Sequence, residues 1–402
     1  SKLTIEDIDI RGNRVLVRVD FNVPLEDGKV ANDKRIMAAL PTIKHIIEKR
    51  GKLVLMSHLG RPKGERVEAL SLKPCVPVLE QILGKKIGFA DDCIGDKVES
   101  AAQKLDEGDV LLVENLRFYK EETDNNPEFA SRLARLGDVY INDAFGTAHR
   151  AHASTAGVTD YIDRCGAGYL MMKELNYLQQ VVEKPKRPFV AILGGAKVSG
   201  KIDVIENLLP KVDRIIIGGG MAFTFYKAQG LDIGSSLLEE DRIEVAKELL
   251  EQGRDKIVLP VDAIVSDKFD FAAKKTGQLK PVQADAIPSG WFGLDIGPLA
   301  IKEFSKILQD AETIVWNGPM GVFELDETAK GTCEIATIVA EATGRGATTV
   351  IGGGDSASAV KKAGVADQVS HVSTGGGASL ELMEGKLLPG VAALTDKKRI
   401  DN

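Results

Sequence analysis

Positive charge is not in excess in this chain. Its 52 Lys and Arg stand against 59 Asp and Glu, a formal net charge of −7 at pH 7. That balance opposes a general nucleic-acid binder, which needs a basic face to displace counterions. Cysteine is scarce: Cys75, Cys93, Cys165 and Cys333 lie far apart, with no CxxC and no metal-ligand spacing. Neither a disulfide framework nor a zinc cluster is expected, but reduced, mostly buried thiols in a cytoplasmic protein. The five histidines include no HxxxH or HExxH pair, so a zinc site is again not expected. No apolar run reaches the length that spans a bilayer, so no membrane partner is expected. The opening SKLTIEDIDI is acidic and lacks an apolar signal core, so it does not read as a secretory leader; Ser1 reads as the residue left when an initiator Met is removed.

Glycine is abundant, with 41 residues, and tight turns or close backbone approaches are expected. At 402 residues the chain exceeds one ordinary core, and two domains are expected. One pattern dominates. Short apolar, β-branched runs end in a Gly-rich or polar loop, and a helix-like segment follows. The runs in the first half are RVLVRVDFN, KLVLMSHLGRP, DVLLVENLRF and DVYINDAFGTAHRAH. Those in the second are PFVAILGGAK, RIIIGGGMA, KIVLPVDAIV, TIVWNGPMG, TTVIGGGDS and HVSTGGGAS. In RIEVAKELLEQ, Ile243, Ala246, Leu249 and Leu250 share one helix face. Continuous apolar strands alternating with amphipathic helices mean an α/β architecture with buried parallel sheets, whose ligands bind at the carboxyl ends of the strands. Pro185 and Pro188 interrupt a helix expected to start near Lys173, and a new strand begins at Phe189. The domain division therefore falls around 172–188.

In the first half a basic set follows the strands. Arg18, Asp20 and Asn22 straddle the end of the first run, and Arg35 follows in a helix-like segment. His58 and Arg61 follow the second, Arg117 another, and His149, Arg150 and His152 a further one. On parallel strands these loops converge on one rim, where guanidinium forks suit a small, multiply charged anion. Each residue taken singly reads equally well as an ordinary surface charge. His45, on an expected helix, reads as structural or solvated.

In the second half, GGG recurs at 218–220, 352–354 and 375–377, and GGAKVSGKID follows the run at 189–193. Backbone N–H groups at such glycines can approach phosphate oxygens closely. From Gly195 the last stretch matches a phosphate-binding P-loop through Gly200 and Lys201, but Ile202 stands where a magnesium-binding hydroxyl is required. Lys197 and Lys201 would share one face if a helix opens there. Asp355, directly after the second GGG, reads as a magnesium ligand or as the N-cap of the next helix. Glu324 could accept from a ribose hydroxyl. No GxGxxG with a downstream acidic partner stands in the context a dinucleotide site requires.

Taken together, RVDFNVP, SHLGRP, ENLRF, NDAFGTAHRAHAS, GGAKVSGKI, GGGMAFTF, WNGPMGVFE, GGGDS and STGGGASLE resemble the phosphoglycerate kinases, in the family's order and over almost the whole chain. The resemblance implies two doubly wound parallel-sheet (Rossmann-like) α/β domains joined by a hinge helix and facing across a cleft. It implies a phosphoglycerate-binding domain at 1–172 plus 388–402, a hinge at 173–188 and a nucleotide-binding domain at 189–387. The implied reaction is reversible phosphoryl transfer from 1,3-bisphosphoglycerate to ADP, giving 3-phosphoglycerate and ATP with Mg²⁺, in a cytoplasmic monomer. Carried over by motif, Asp20, Phe21, Asn22, Arg35, His58, Leu59, Gly60, Arg61, Arg117 and Arg150 would bind the triose. Gly195, Lys197, Lys201, Gly219, Gly220, Asn317, Pro319, Glu324, Gly353, Gly354, Asp355 and Ser356 would bind the nucleotide. Asp355 would lie near Mg²⁺, in place of the missing P-loop hydroxyl. Arg35, Lys197, Lys201, Gly354 and Gly377 would serve catalysis. Ser356 departs from the Thr of many members but keeps a hydroxyl.

Transfer of this kind asks for positioning and charge neutralisation, and needs no general base in the ATP-forming direction. Arg35 and Lys201 are expected to come from opposite domains, so a hinge closure near 173–184 and KPKRP is expected. Three rival readings are a dehydrogenase, a non-catalytic phosphate- or nucleotide-binding protein of the same fold, and a P-loop NTPase. The missing dinucleotide fingerprint opposes the first, the paired lysines with Asp355 the second, and Ile202 the third.

Overall fold

The computed structural model describes residues 1–399. The chain divides into two compact units, one formed by Ser1–Leu175 with the segment from Leu387 onward, the other by Asn176–Lys386. Of the stretch expected at 388–402, positions 400–402 lie outside the described residues.

Unit 1 is built on β1 (Arg14–Arg18), β2 (Lys52–Met56), β3 (Gly88–Ala90), β4 (Val110–Val113), β5 (Val139–Asn142) and β6 (Cys165–Ala167). They form one parallel sheet in the order β3-β4-β2-β1-β5-β6. All of β4 and β5 is buried, as are the last four residues of β1 and β2. A sheet covered on both faces requires such unbroken apolar runs rather than alternation. Helix α1 (Lys34–Glu48) places Ile36, Ala39, Ile43 and Ile46 in the core beside Val15, Val17, Leu53 and Leu55.

Unit 2 is built on β7 (Phe189–Leu193), β8 (Arg214–Ile217), β9 (Ile257–Val258), β10 (Asp262–Ser266), β11 (Leu279–Gln283), β12 (Phe292–Ile296), β13 (Thr313–Asn317), β14 (Thr348–Gly352) and β15 (His371–Val372), with a small hairpin of Phe269–Asp270 and Lys275–Thr276 besides. Six of them make a parallel sheet, β9-β8-β7-β13-β14-β15, and β11-β10-β12 form a separate antiparallel one. The run KIVLPVDAIV is therefore not one strand. Pro260 has no N–H for a ladder, and the chain leaves the parallel sheet after Val258 to enter the antiparallel one at Asp262.

In each sheet the first strand sits at the point where the order reverses. β1 lies between β2 and β5, and β7 between β8 and β13. Loops leaving the carboxyl ends there diverge and open a crevice.

Helix α2 (Tyr169–Glu183) starts earlier than the expected Lys173. Its first turn is capped from far away in sequence. Thr42 Oγ1 accepts the Tyr169 N–H at 2.9 Å, and Asp143 Oδ1 accepts those of Leu170 and Met171 at 2.9 and 3.2 Å. The division between units falls within this helix. Unit 1 also joins the two ends of the described chain. The Leu3 N–H donates to Thr395 O at 2.8 Å, and Lys2 Nζ reaches the carbonyls of Ala392 and Leu394. The Cys165 N–H donates to Thr395 Oγ1 at 3.1 Å.

All four cysteines are free thiols, three of them buried. Among the described residues no helix is long and apolar enough to cross a membrane.

Candidate functional site

On unit 1 the carboxyl ends of β4, β2, β1 and β5 lie side by side, so the loops carrying the basic residues emerge from one edge. Asp20, Phe21 and Asn22 follow β1; His58, Leu59, Gly60 and Arg61 follow β2; Arg117 follows β4; Arg150 follows β5. Arg35 lies in the first turn of α1, and its Nη1 donates to Asp20 Oδ2 at 2.6 Å. Asn22 Oδ1 accepts the Gly60 N–H at 2.8 Å, and Arg117 Nη1 donates to Gly60 O at 3.1 Å. Gly60 has φ +64°, and a Cβ there would lie 2.8 Å from Leu70 Cδ2. This one glycine thus joins the loops after β1, β2 and β4.

The side chains of Phe21 and Leu59 are buried in the core, so only their backbones can face a ligand. Arg61 and Arg150 are exposed. Positive charge is concentrated here. Burial, then Arg18, Arg117, Arg35 and His152, push the His58 imidazole well below its ordinary pKa. Burial and the guanidinium groups of Arg117, Arg18 and Arg150 push His152 down to about 4, with His149 adding a smaller push. Burial and Arg18 also lower Arg117, whose buried Nε has no hydrogen-bond partner. Crowded cations of this kind disfavour one another until an anion arrives.

Several residues that hold this edge were not anticipated. Asn115 Oδ1 accepts the N–H of Leu59 and of Arg117, while its Nδ2 donates to the carbonyls of Leu59 and Leu70. Ser57 Oγ accepts the Phe21 N–H at 2.8 Å. Asn115 stands within the quoted ENLRF, but nothing in its spacing marks it as a clamp.

In unit 2 three loops pack backbone on backbone. The Gly195 N–H donates to Pro319 O at 3.0 Å, and the Gly219 N–H to Met320 O at 3.0 Å. At Gly219, φ is +72° and a Cβ would lie 2.6 Å from Gly195 O and 2.7 Å from Pro319 O. Gly194 and Gly318 meet as closely, a Cβ on Gly318 falling 2.2 Å from Gly194 O. These glycines therefore bring the ends of β7, β8 and β13 into direct contact. Gly195 and Gly219 also wall a cavity of about 420 Å³, lined besides by Gly220, Pro319, Glu324 and Asp355, which runs on past Phe223, Tyr226 and Phe292.

Four acids line that cavity. Asp262 accepts the N–H groups of Leu299 and Ala300, and Asp295 those of Ile296 and Gly331. Burial pushes the Asp295 carboxyl up to about 7. Both are occupied in holding helix starts, whereas Asp355 and Glu324 are exposed on the wall. A carboxylate oxygen facing such a cavity is the hard donor that a Mg²⁺-bound phosphate chain takes, so Asp355 fits that group.

No helix opens early enough to set the two lysines on one face. Lys197 is extended (φ −133°, ψ 133°), Val198–Gly200 is a 3-10 turn, and the α-helix begins only at Ile202. Lys201 Nζ donates to Asn317 Oδ1 at the end of β13. Burial lowers its pKa to about 8, against the opposing pull of Glu384 and Asp355. Nor is Asp355 the N-cap. That position is Gly353, at φ +90°, and Asp355 lies in the first turn of the helix Gly354–Lys362. Ser356 is buried, its Oγ accepting the Gly318 N–H at 2.6 Å. Gly377 opens the short helix Gly377–Met383.

The family model described as phosphoglycerate kinase matches residues 5–386. The phosphoglycerate kinase of Rippkaea orientalis is 56% identical over 399 residues, covering 98% of this chain and 99% of the relative. The cytosolic phosphoglycerate kinase of Triticum aestivum is 57% identical over 397 residues, 98% of each chain. The solved structure of phosphoglycerate kinase from Coxiella burnetii superposes with a TM-score of 0.89 at 41% identity, covering 98% of both chains. With the match running through both sheets and every loop described above, the chain belongs to the phosphoglycerate kinase family.

Proposed function

We propose that this phosphotransferase, whose family acts on a carboxyl group, moves a phosphoryl group in line between 1,3-bisphosphoglycerate and MgADP, with the triose held by unit 1 and the nucleotide by unit 2. The observation that carries the assignment is Lys201: its half-buried ammonium is held by Asn317, its Cε would lie 4.0 Å from a Cβ on Gly195 of the cavity wall, and desolvation lowers its pKa to about 8. A cation kept poorly solvated gains most when a phosphate replaces the missing water.

Arg35, His58, Arg61, Arg117 and Arg150 supply charge and donors for the triose phosphate and carboxylate, with Asp20 and Asn22 fixing Arg35 and the Gly60 loop. In unit 2 the cavity takes base and ribose, with Glu324 accepting from a ribose hydroxyl. Asp355 holds the magnesium of the nucleotide, which screens the phosphate charge. Lys197 and Lys201 meet the phosphate chain, and helix N-termini at Gly354 and Gly377 add N–H groups of the right polarity. Arg35 and Lys201 neutralise equatorial oxygens of the moving group. The ADP oxygen is already anionic and the leaving carboxylate is stable, so no proton need move.

The test is the initial rate of ATP-dependent phosphorylation of 3-phosphoglycerate, with and without Mg²⁺, on the wild type and Lys201→Ala. Mg²⁺-dependent turnover that is lost in the folded variant is the expected result. Turnover that survives the substitution, or that ignores Mg²⁺, overturns the assignment.

A further inference from the structure

We infer that Arg18 holds His58 as the neutral imidazole with its proton on Nε2, so that a neutral N–H, not an imidazolium, is what His58 offers to a bound anion. This deepens the reading of unit 1 as the triose site and rests on it.

Arg18 closes β1 and pairs in register with Met56, the last residue of β2. From there its side chain reaches His58, two residues on. The guanidinium is fully buried. Nε donates to Ser154 Oγ at 2.9 Å, Nη1 donates to Val19 O at 2.7 Å, and Nη2 lies 3.1 Å from His58 Nδ1. A guanidinium carries donors only and does not give up its proton in a protein. Nδ1 must therefore be the acceptor and bears no hydrogen. A protonated ring would set N–H against N–H in a dry space. The proton of the neutral ring is left on Nε2.

The arginine is itself fixed. Ser154 Oγ donates to Glu122 Oε2 at 2.6 Å, and the Ser154 N–H donates to Glu122 Oε1 at 2.7 Å. Ser154 and Glu122 are as fully buried as Arg18. The result is a chain from Glu122 through Ser154 and Arg18 to His58, in which a buried carboxylate balances a buried guanidinium. After burial, the strongest influences on His58 are the cationic and imidazole groups of Arg18, Arg117, Arg35 and His152, all of which oppose its protonation. The carboxylates nearest this set are engaged elsewhere, Asp20 with Arg35 and Glu122 with Ser154. Arg18 is thus a positioning residue: it sets which nitrogen of His58 donates.

The test reads the ring directly. In the ¹⁵N-labelled full chain without substrate, ring ¹⁵N–¹H correlation spectra are recorded between about pH 5.5 and 8.5, the window around the ordinary histidine pKa. His58 is expected as a single Nε2–H tautomer that does not titrate. A midpoint inside that window, or a proton on Nδ1, overturns the inference. In Arg18→Lys and Arg18→Met, His58 is expected to titrate or to mix tautomers. The KM for 3-phosphoglycerate is expected to rise roughly tenfold, the scale lost when the group orienting a functional histidine is removed. An unchanged tautomer in a folded Arg18 variant overturns the role of Arg18, and if neither variant folds the wild-type spectrum decides. The ligand reading is checked apart from this. Saturating 3-phosphoglycerate that leaves the Nε2–H resonance unmoved contradicts the triose assignment, whatever the tautomer.

Discussion

Arg35 rests on Asp20, its Nη1 at 2.6 Å from Oδ2, with 43% of the arginine side chain exposed and 13% of the aspartate. The guanidinium is thus aimed by its partner while much of it stays open to a ligand. Arg35→Ala is expected to lower kcat by roughly 10³ or more, the scale of a catalytic arginine in phosphoryl transfer, while the KM for nucleotide changes little. Steady-state kinetics in both substrates check this. A kcat within about threefold of wild type removes Arg35 from the chemistry.

Lys201 gives a proton-linked signature. Its pKa in the folded chain, about 8, lies below the ordinary 10.5. The charged form is therefore disfavoured by folding, and that cost is fully present below about pH 8. It is relieved as pH rises from about 8 toward 10.5, where the unfolded chain also releases the proton. Phosphate beside Nζ is expected to raise the pKa again. Nucleotide binding at pH 8 should then take up about half a proton. Calorimetry in two buffers of different ionisation heat measures it, and Lys201→Met should abolish it. Equal uptake in wild type and variant would count against the assignment.

Gly219 and Gly230 make a controlled pair. Both have positive φ, +72° and +82°, but only Gly219 meets neighbouring backbone; around Gly230 there is nothing within 4 Å. Gly219→Ala is expected to destabilise by roughly 1–3 kcal/mol or more and to raise the KM for ADP, because the loops after β7, β8 and β13 must part. Gly230→Ala should show only the conformational strain, about 1 kcal/mol, with the KM for ADP intact. Thermal melts with steady-state kinetics separate the two. Equal effects on KM would mean that the close packing does not shape the cavity.

Asp143 makes stability fall with pH. Burial pushes its carboxyl from 3.8 up to about 7, even with Thr42 and the N–H groups of Met171 and Leu170 opposing. The folded chain therefore holds a proton that the unfolded chain has released. The stabilisation this gives is largest below about pH 4 and is lost as pH rises toward 7. Asp143→Asn keeps an oxygen for the start of α2 and cannot ionise. The stability difference between about pH 5 and pH 8 should be smaller in the variant, by chemical denaturation at each pH. Parallel pH profiles for the two proteins would refute this.

The repeated strand–loop–helix pattern and the edge on which the basic loops meet were legible, because parallel strands buried on both faces are continuous apolar runs. Four such runs in unit 1 became β1, β2, β4 and β5. What failed was local conformation under tertiary control. Pro260 was read through, although it moves the chain from one sheet to another. The four-residue spacing of Lys197 and Lys201 leaves open whether a helix begins before them, and a 3-10 turn separates them instead. The strands β3 and β6 have three residues each, too short to leave a pattern. The partners that fix the candidate ligands were invisible for another reason. Asn115 clamps Leu59 across 56 positions, and Arg18 meets Ser154 across 136. No periodicity encodes a pair so far apart. The acids Asp262 and Asp295 could be told from Asp355 and Glu324 only once their hydrogen bonds were seen.

The hydrogen bonds between Leu3 and Thr395, and between Cys165 and Thr395, have a bearing on how the chain is made. A polypeptide leaves the ribosome in one direction, and domains tend to fold as they emerge. Unit 2 is a single uninterrupted stretch, Asn176–Lys386, and has all its contacts once that stretch is out. Unit 1 emerges first yet is finished last, since its final segment starts at Leu387. The N-terminal sheet must wait through the synthesis of the whole second unit with the N–H groups of Leu3 and Cys165 lacking their Thr395 partners, and it is completed only once the segment from Leu387 has been made.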